Sequence, residues 1–167
     1  VTQCLRRATV LSPAMLNASL SELAALLDAR KLSSVELTRF FLDRIEQLNP
    51  TFNAFVTARE ETSLAQARAA DQRRARGEAQ LLPGIPVAQK DIFCAKGWPT
   101  TCGSRMLSNF VSPYDAEIVR RFDAAGVVNL GKTNMDELAM GSSNETSFFG
   151  PVRNPWSPAG VPGGSSG

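Results

Sequence analysis

The stretch GIPVAQKDIF, residues 84–93, decides how this chain is expected to fold. It is an apolar run interrupted only near its end, and such a run predicts one buried strand. An amphipathic helix is predicted over residues 115–125, with Asp115 as its N-cap and Gly126 as the residue that ends it. A second buried strand is predicted over residues 127–131. A strand, a helix and a second strand are the parts of an α/β fold with a mixed or parallel sheet.

The region before this unit predicts two helices with clear start signals. The spacing Ser-x-x-Glu occurs at residues 19–22 and 33–36, and it is the capping box of a helix N-terminus. The apolar residues that follow predict one helix over about 20–30 and another over about 34–48. Pro50 is expected to end the second helix, because a proline disfavours the helical conformation in the residue before it.

Further segments complete the predicted chain path. A short strand is expected at 52–56, a helix at 59–77 and a loop at 77–84. A short helix is expected at 134–140, and the Ser, Asn, Gly and Pro content after it predicts loops. Residues 1–16 are interpreted as a disordered lead-in.

Composition limits the class of protein. The 167 residues suit one domain with a hydrophobic core, and 43% apolar with 20% charged residues is the composition of an ordinary globular domain. A net charge of +2 gives no strong electrostatic footprint for nucleic acid, so any RNA is expected to be bound elsewhere. The apolar stretches are far shorter than the roughly 20 residues of a transmembrane helix, so no membrane contact is expected.

The sequence contains no histidine, which excludes Ser-His and Cys-His catalysis within this chain. Ser-Lys acyl transfer is the main variant that survives this exclusion. The three cysteines, Cys4, Cys94 and Cys102, are odd in number and at these spacings form no disulfide framework, and without histidine no ordinary zinc site can form. They are therefore interpreted as free thiols of a protein in the reducing cytoplasm.

Lys90 is the first candidate for chemistry, because it lies inside the apolar run. An ammonium group is costly to bury unless it is paired or neutralised. Burial lowers the pKa of a lysine, and a lysine with a lowered pKa can serve as a base near neutral pH. The alternative is a structural lysine that either pairs with Asp91 or is exposed at the end of the strand.

A Gly-rich turn supplies the second candidate. The stretch PGGSSG, residues 162–167, contains Ser165 and Ser166, and its glycines let the backbone approach a ligand closely. The alternative is a flexible linker, which such a composition also indicates.

Residues 131–145 are the third candidate segment. They follow a buried strand, which is where α/β enzymes place functional loops, and their small polar side chains can donate hydrogen bonds into a site. The alternative is a loop at a helix terminus that satisfies only its own backbone. Phosphate binding at Gly131-Lys132-Thr133 is not expected, because the glycine of a phosphate-binding loop is missing from the preceding residues.

These segments together resemble the amidase signature family. The stretch GIPVA-x-KD at 84–91 resembles its lysine strand, and PGGSSG at 162–167 resembles the opening of its Gly/Ser-rich signature. The resemblance implies a mixed central sheet flanked by helices and a Ser–cis-Ser–Lys triad. Within that triad, Lys90 corresponds to the catalytic base. Ser165 corresponds to the bridging serine, whose preceding peptide bond is cis.

Three further stretches resemble one branch of that family, which serves tRNA-dependent amidotransferases. They are GKTNMDE at 131–137, MGSSNE at 140–145 and FGPVRNPW at 149–156. The resemblance implies a glutaminase that releases ammonia from glutamine, with the B and C subunits of the amidotransferase as partners and tRNA bound through the complex. ATP and Mg²⁺ are implied for the complex, and no cofactor is implied for this chain. The candidates for a loop near the substrate are Met140, Gly141, Ser142 and Ser143.

The resemblance covers residues 17–167 and leaves parts of the family pattern unmatched. The acylating serine, the glycines of the oxyanion hole and the residues that bind glutamine are expected beyond Gly167, and residues 157–160 depart from the usual polar pattern. The sequence is therefore interpreted as the N-terminal part of a single amidase domain, inactive alone and truncated after its first strands. A stand-alone amidase for small carboxamides, a non-catalytic interaction fragment and an RNA-binding module that uses the arginines of 68–76 stay open as alternatives.

Overall fold

The computed structural model describes residues 13–78 and 80–167 of the chain. Within these residues, no helix has both the length and the apolar character needed to cross a membrane. The α-helices are α1 (Leu20–Asp28), α2 (Ser34–Phe52), α3 (Glu60–Ala75) and α4 (Glu117–Ala125). The strands are β1 (Phe55–Ala58), β2 (Pro86–Lys90) and β3 (Val128–Thr133). Short 3-10 helices lie at Pro13–Asn17, Arg105–Leu107 and Glu137–Ala139.

The strands form one sheet in the order β1-β3-β2, with β1 antiparallel and β2 parallel to the central β3. The mixed α/β sheet that the sequence predicted is therefore confirmed. Lys90, the last residue of β2, pairs with Thr133, the last residue of β3. Because β2 and β3 are parallel, their carboxyl ends meet at one edge of the sheet, and the segments that follow both strands begin there.

Helices α2 and α3 pack on the sheet through an apolar cluster that contains Leu42, Leu64 and Leu130. A second cluster joins α1 and α2 to the start of β2, with Leu27, Leu37 and Ile85 among its members. Fully burying an aliphatic side chain of this size stabilises a fold by about 1.5–3 kcal/mol. These clusters fix the sheet against the helices and so hold the edge at Lys90 in place.

Both predicted capping boxes are present. The backbone N–H of Glu36 donates to Ser33 Oγ at 3.1 Å, and the backbone N–H of Ser33 donates to the Glu36 carboxylate at 2.9 Å. Ser19 and Glu22 make the equivalent pair at the start of α1. A side-chain cap of this kind stabilises a helix by about 1 kcal/mol.

The predicted end of α2 at residue 48 is wrong, because the helix continues through Pro50 to Phe52. The side-chain amide of Asn49 donates to the backbone carbonyl of Phe55 at 2.9 Å and its oxygen accepts from the Phe55 N–H at 2.7 Å. Asn53 then ends the helix in the left-handed conformation, with φ 55°. These bonds fix the exit of the helix beyond the proline, so β1 begins at residue 55 and not at 52.

The predicted N-cap of α4 is also wrong. Asp115 uses its carboxylate to accept the backbone N–H of Lys96 at 2.6 Å, and α4 begins after Ala116 without a side-chain cap. Gly126 ends the helix at φ 82°, as predicted. The Asp115 carboxylate, which was predicted to cap α4, therefore binds the loop after β2 to the segment just before the helix.

Two other predicted elements are shorter than expected. The strand predicted over residues 85–93 ends at Lys90, because the chain turns there and the Phe93 N–H donates to the Lys90 carbonyl at 3.1 Å. The helix predicted over 134–140 is only a 3-10 turn, in which Leu138 has φ 53°. The predicted lead-in lies outside the described residues up to position 12, and its last four residues belong to the first 3-10 helix.

Candidate functional site

Lys90 and Ser165 come together although 75 residues separate them in sequence. The Lys90 amine donates a hydrogen bond to Ser165 Oγ at 2.6 Å. The peptide bond between Gly164 and Ser165 is cis, as the resemblance implies. Lys90 is half-buried at the end of β2, so its amine reaches the serine from the edge of the sheet.

The Gly/Ser-rich turn runs along the segment that follows β3. The backbone carbonyl of Ser165 accepts the N–H of Asp136 at 2.9 Å, and Ser166 forms an antiparallel bridge with Met135. The N–H of Gly167 donates to the carbonyl of Asn134 at 3.3 Å. The turn is therefore bound to the rest of the fold by backbone hydrogen bonds and does not have the contacts of a free linker.

Asp91 does not pair with Lys90, so that structural alternative is wrong. The partner of Asp91 is Lys132, whose amine lies 3.1 Å from the Asp91 carboxylate, and both side chains are fully buried. Lys132 also donates to the Phe93 carbonyl at 2.8 Å and to Thr100 Oγ1 at 3.2 Å. The carboxylate accepts the backbone N–H of Thr101 at 2.9 Å.

The pleat of β2 explains this division of partners. Asp91 directly follows β2, and its N–H continues the ladder by donating to the Thr133 carbonyl at 3.1 Å. Because successive residues of an extended chain point to opposite faces of the sheet, Lys90 and Asp91 face opposite ways. Gln89 pairs with Lys132 in the parallel ladder, and Asp91 shares the face of Gln89. Burial lowers the pKa of Lys132, although the nearby Asp91 carboxylate opposes part of that change. The sequence does place Lys132 directly after the second predicted strand. Sequence analysis did not connect Lys132 with Asp91.

Asp136 is the second buried carboxylate, and sequence analysis missed its role. It is completely buried, and its carboxylate accepts the N–H of Asn144 at 3.0 Å and the hydroxyl of Thr146 at 2.8 Å. Burial alone raises the pKa of this group, but the hydrogen bonds from Thr146, Asn144 and Ser143 outweigh that effect and hold the pKa below its ordinary value. Asp136 therefore carries a negative charge at neutral pH.

The predicted substrate-loop residues lie beside the Gly/Ser-rich turn. A Cβ atom on Gly164 would come within 2.5 Å of the Ser142 backbone and within 2.6 Å of the Ser143 nitrogen. A Cβ atom on Gly141 would overlap the carboxyl group of Asp136. Met140 is 81% exposed. The backbone of Ser142 and Ser143 thus packs against the turn, Gly141 packs against Asp136, and the Met140 side chain is open to solvent.

Other candidates from the sequence have structural partners or lie apart from this site. Cys94 and Cys102 are free, and Cys4 lies outside the described residues. Burial and then the Asp91 charge raise the pKa of Cys102, which disfavours the nucleophilic thiolate. Within the part of the chain that the structure describes, no three metal-binding side chains converge.

Two of the arginines that were considered for RNA binding form ion pairs with acidic side chains. Arg74 is mostly buried and pairs with Asp71 at 3.2 Å, and Arg76 pairs with Glu78 at 2.6 Å. These contacts reduce the positive surface that residues 68–76 can offer to a phosphate backbone, which leaves the RNA alternative without structural support.

An apolar groove of about 680 Å³ opens on the Lys90 side of β2. Ala88 lies on the same strand face as Lys90, and it lines the groove together with Phe41, Phe52, Phe55, Val152 and Ser166. The groove therefore extends from α2, which contributes Phe41 and Phe52, to the Gly/Ser-rich turn, which contributes Ser166.

Comparison with known proteins is consistent with this geometry. The family model described as Amidase matches residues 36–167. The chain is 69% identical over 153 residues to the A subunit of glutamyl-tRNA(Gln) amidotransferase from Nitrosospira multiformis, a match that covers 92% of this chain and 32% of that protein. The equivalent protein of Methylobacillus flagellatus is 68% identical over 92% of this chain and 31% of its own length. The chain thus spans about a third of the length of these curated relatives.

Solved structures also match. The A subunit of glutamyl-tRNA(Gln) amidotransferase from Thermotoga maritima has a TM-score of 0.65 and 40% identity, over 80% of this chain and 27% of that one. The peptide amidase of Stenotrophomonas maltophilia has a TM-score of 0.81 and 34% identity, over 89% of this chain and 32% of that one. The fold of the described residues is therefore shared with amidases of more than one kind.

Proposed function

This chain belongs to the amidase family, and from that premise we propose that it supplies Lys90 and Ser165 to the glutaminase site of a tRNA-dependent amidotransferase. The ammonia released from glutamine would convert Glu-tRNA(Gln) to Gln-tRNA(Gln) with the use of ATP. The observation that carries the proposal is the 2.6 Å hydrogen bond between the Lys90 amine and Ser165 Oγ. The names of the curated relatives, which are those of a glutamyl-tRNA(Gln) amidotransferase, support the choice of Glu-tRNA(Gln) as the molecule that receives the ammonia.

The proposed chemistry begins with proton transfer through Ser165. A serine beyond Gly167 attacks the carboxamide carbon of glutamine and passes its proton to Ser165, which passes its own proton to the Lys90 amine. Collapse of the tetrahedral intermediate breaks the C–N bond, and the proton returns through Ser165 to the leaving ammonia. Backbone N–H groups hold the oxyanion in acyl transfer of this type.

The proposed substrate lies near the loop of residues 140–143. The close approach of the Ser142 and Ser143 backbone to Gly164 supports this placement, because it brings the loop within one residue of Ser165. Met140, Gly141, Ser142 and Ser143 would then form one wall of the glutamine site. Only a glycine at position 164 allows the two backbones to come this close, because any Cβ there would overlap the Ser142 and Ser143 backbone.

The proposed partners follow from the amidotransferase assignment. The B protein of the complex would receive the ammonia and bind ATP, Mg²⁺ and the charged tRNA in the cytoplasm, and the small C protein would brace the complex. The net charge of +2 supports a minor part for this chain in tRNA binding, since it provides little attraction for a phosphate backbone.

A chimera tests this function directly. The matching 153 residues of this chain replace those of the Nitrosospira multiformis relative, and the chimera is assembled with the B and C proteins of that organism. Glutamine hydrolysis and Gln-tRNA(Gln) formation are measured. The Lys90→Met and Ser165→Ala variants should lose about 10²–10⁴-fold in kcat, the contribution of general acid–base catalysis. Lys96→Met is the matched control, because Lys96 is exposed and outside the pair. Full activity of Lys90→Met would refute the proposal.

A stand-alone amidase for small carboxamides is the second candidate, and the similarity to a peptide amidase favours it. It would use the same Lys90 and Ser165 pair. The two candidates differ in their need for a partner, so the chimera is assayed with and without the B protein. Equal turnover of glutamine and of simple amides without the B protein would favour the stand-alone amidase.

A further inference from the structure

Asp136 occupies a position between the two glycine-containing segments of the site. Its backbone N–H donates to the Ser165 carbonyl at 2.9 Å, which binds it directly to the Gly/Ser-rich turn. Its carboxylate accepts from the Asn144 N–H at 3.0 Å, from the Thr146 hydroxyl at 2.8 Å and from the Thr146 N–H at 3.4 Å. One residue therefore bonds to the turn through its backbone and to the loop of residues 141–146 through its side chain.

The carboxylate also touches the turn itself. A Cβ atom added to Gly164 would overlap Asp136 Oδ2, and one added to Gly141 would lie 2.5 Å from Oδ1. The loop and the turn thus both pack against the Asp136 carboxylate, the loop at Gly141 and the turn at Gly164. Glycine has the largest conformational freedom of any residue, so these segments need external contacts to hold one conformation. The buried charge of Asp136 provides fixed acceptors for those contacts.

We propose that Asp136 is a positioning residue of the Lys90–Ser165 site, which binds the 141–146 loop to the turn and so keeps Ser165 Oγ within reach of the Lys90 amine. This inference rests on the proposed function for its catalytic consequence. The tie between loop and turn can be measured without that function.

Amide hydrogen exchange in the chain tests the tie. Asp136→Asn keeps the size of the side chain but replaces one acceptor oxygen with an NH₂ donor. That NH₂ group cannot accept the hydrogen bonds that Asn144 and Thr146 donate to Asp136. We expect the amides of residues 144, 146 and 136 to exchange about tenfold faster or more in this variant, because hydrogen bonds to charged acceptors are among the stronger ones. Glu145→Gln is the matched control, since it neutralises an exposed carboxylate in the same loop. Unchanged protection in Asp136→Asn would overturn the inference.

Kinetics of the chimera test the positioning role. If Asp136 acts through Ser165, Asp136→Asn lowers kcat about 10–100-fold with KM changed less than about threefold, and it adds no loss in a Ser165→Ala background. A purely structural role predicts the same fractional loss in both backgrounds, and that result would overturn the inference. Thr146→Val removes the hydroxyl that donates to Asp136 and accepts from the Glu137 N–H at 3.0 Å, and it keeps the branched shape, so it gives a milder version of the same test if Asp136→Asn does not fold.

The two proposals fail in different ways. Full activity of Ser165→Ala would refute the proposed function, and the exchange measurement would still decide whether Asp136 holds the turn. A large effect of Ser165→Ala together with additive losses from Asp136→Asn would leave the function intact and refute only the positioning role.

Discussion

The buried ion pair of Lys132 and Asp91 gives the sharpest prediction for stability. Their side chains are 0% and 1% exposed, and the amine lies 3.1 Å from the carboxylate. Lys132→Met removes the charge together with the hydrogen bonds to the Phe93 carbonyl and Thr100 Oγ1, while its similar length fills most of the space. Asp91 is then a buried charge without its cationic partner. Removing one partner of a buried pair costs about 3–5 kcal/mol.

Urea denaturation measures this loss. With an m-value of roughly 2 kcal/mol/M, the midpoint should fall by about 1.5–2.5 M. Trp98 is a suitable reporter because it is only 5% exposed, and a Trp156→Phe background removes the signal of Trp156, which is 95% exposed. The fluorescence of one buried indole then follows the unfolding of the region beside the pair.

Two variants complete the experiment. Lys132→Met combined with Asp91→Leu should recover part of the lost stability, because an apolar pair avoids the cost of burying charge but leaves the buried Thr101 N–H without its acceptor. Lys96→Met changes an exposed lysine and should shift the free energy of unfolding by less than about 0.5 kcal/mol. A loss below about 1 kcal/mol for Lys132→Met, or a double variant no more stable than the single one, would refute the reasoning.

Three further predictions concern the site. Because folding lowers the pKa of Asp136, this group contributes stability that is present above its unfolded pKa of about 3.9 and is lost as the pH falls through the folded value. Asp136→Asn lacks this contribution, so its unfolding midpoint should fall less steeply between pH 5 and 3 than that of the unchanged chain. Gly164→Ala places a methyl group in overlap with the Asp136 carboxylate and should cost about 1–3 kcal/mol by thermal denaturation, whereas Gly160→Ala, with its nearest contact at 3.3 Å, should cost less. The purified 167-residue chain should release no ammonia from glutamine in a coupled assay, because Ser165 is proposed to relay a proton and not to attack; measurable turnover would contradict that role.

Local sequence signals predicted most of the fold. The capping boxes located the starts of α1 and α2, and the apolar runs located β2 and β3. The end of α2 was not predictable in the same way, since it depends on the Asn49 side chain reaching the Phe55 backbone six residues later. A local propensity rule for proline does not include such a contact.

The candidate site needed information of another kind. Lys90 and Ser165 were paired through the family resemblance, because no local pattern joins residues that are 75 positions apart. The partner of Asp91 depends on the parallel register that sets Gln89 beside Lys132, which becomes known only when β2 and β3 are aligned. Asp136 gave no sequence signal, because its donors come from a loop eight to ten residues later in the chain.

The opposite orientations of Lys90 and Asp91 have a consequence for how this strand can vary in length. A deletion or insertion of one residue within β2 would turn the Asp91 carboxylate towards Ser165 and the Lys90 side chain towards Lys132. Lys90 and Lys132 would then lie together in the buried interior, and Ser165 would face the Asp91 carboxylate in place of the Lys90 amine. The strand can therefore accept changes in side-chain size more readily than any change in the number of its residues, and length variation in this part of the chain belongs in the turns on either side of it.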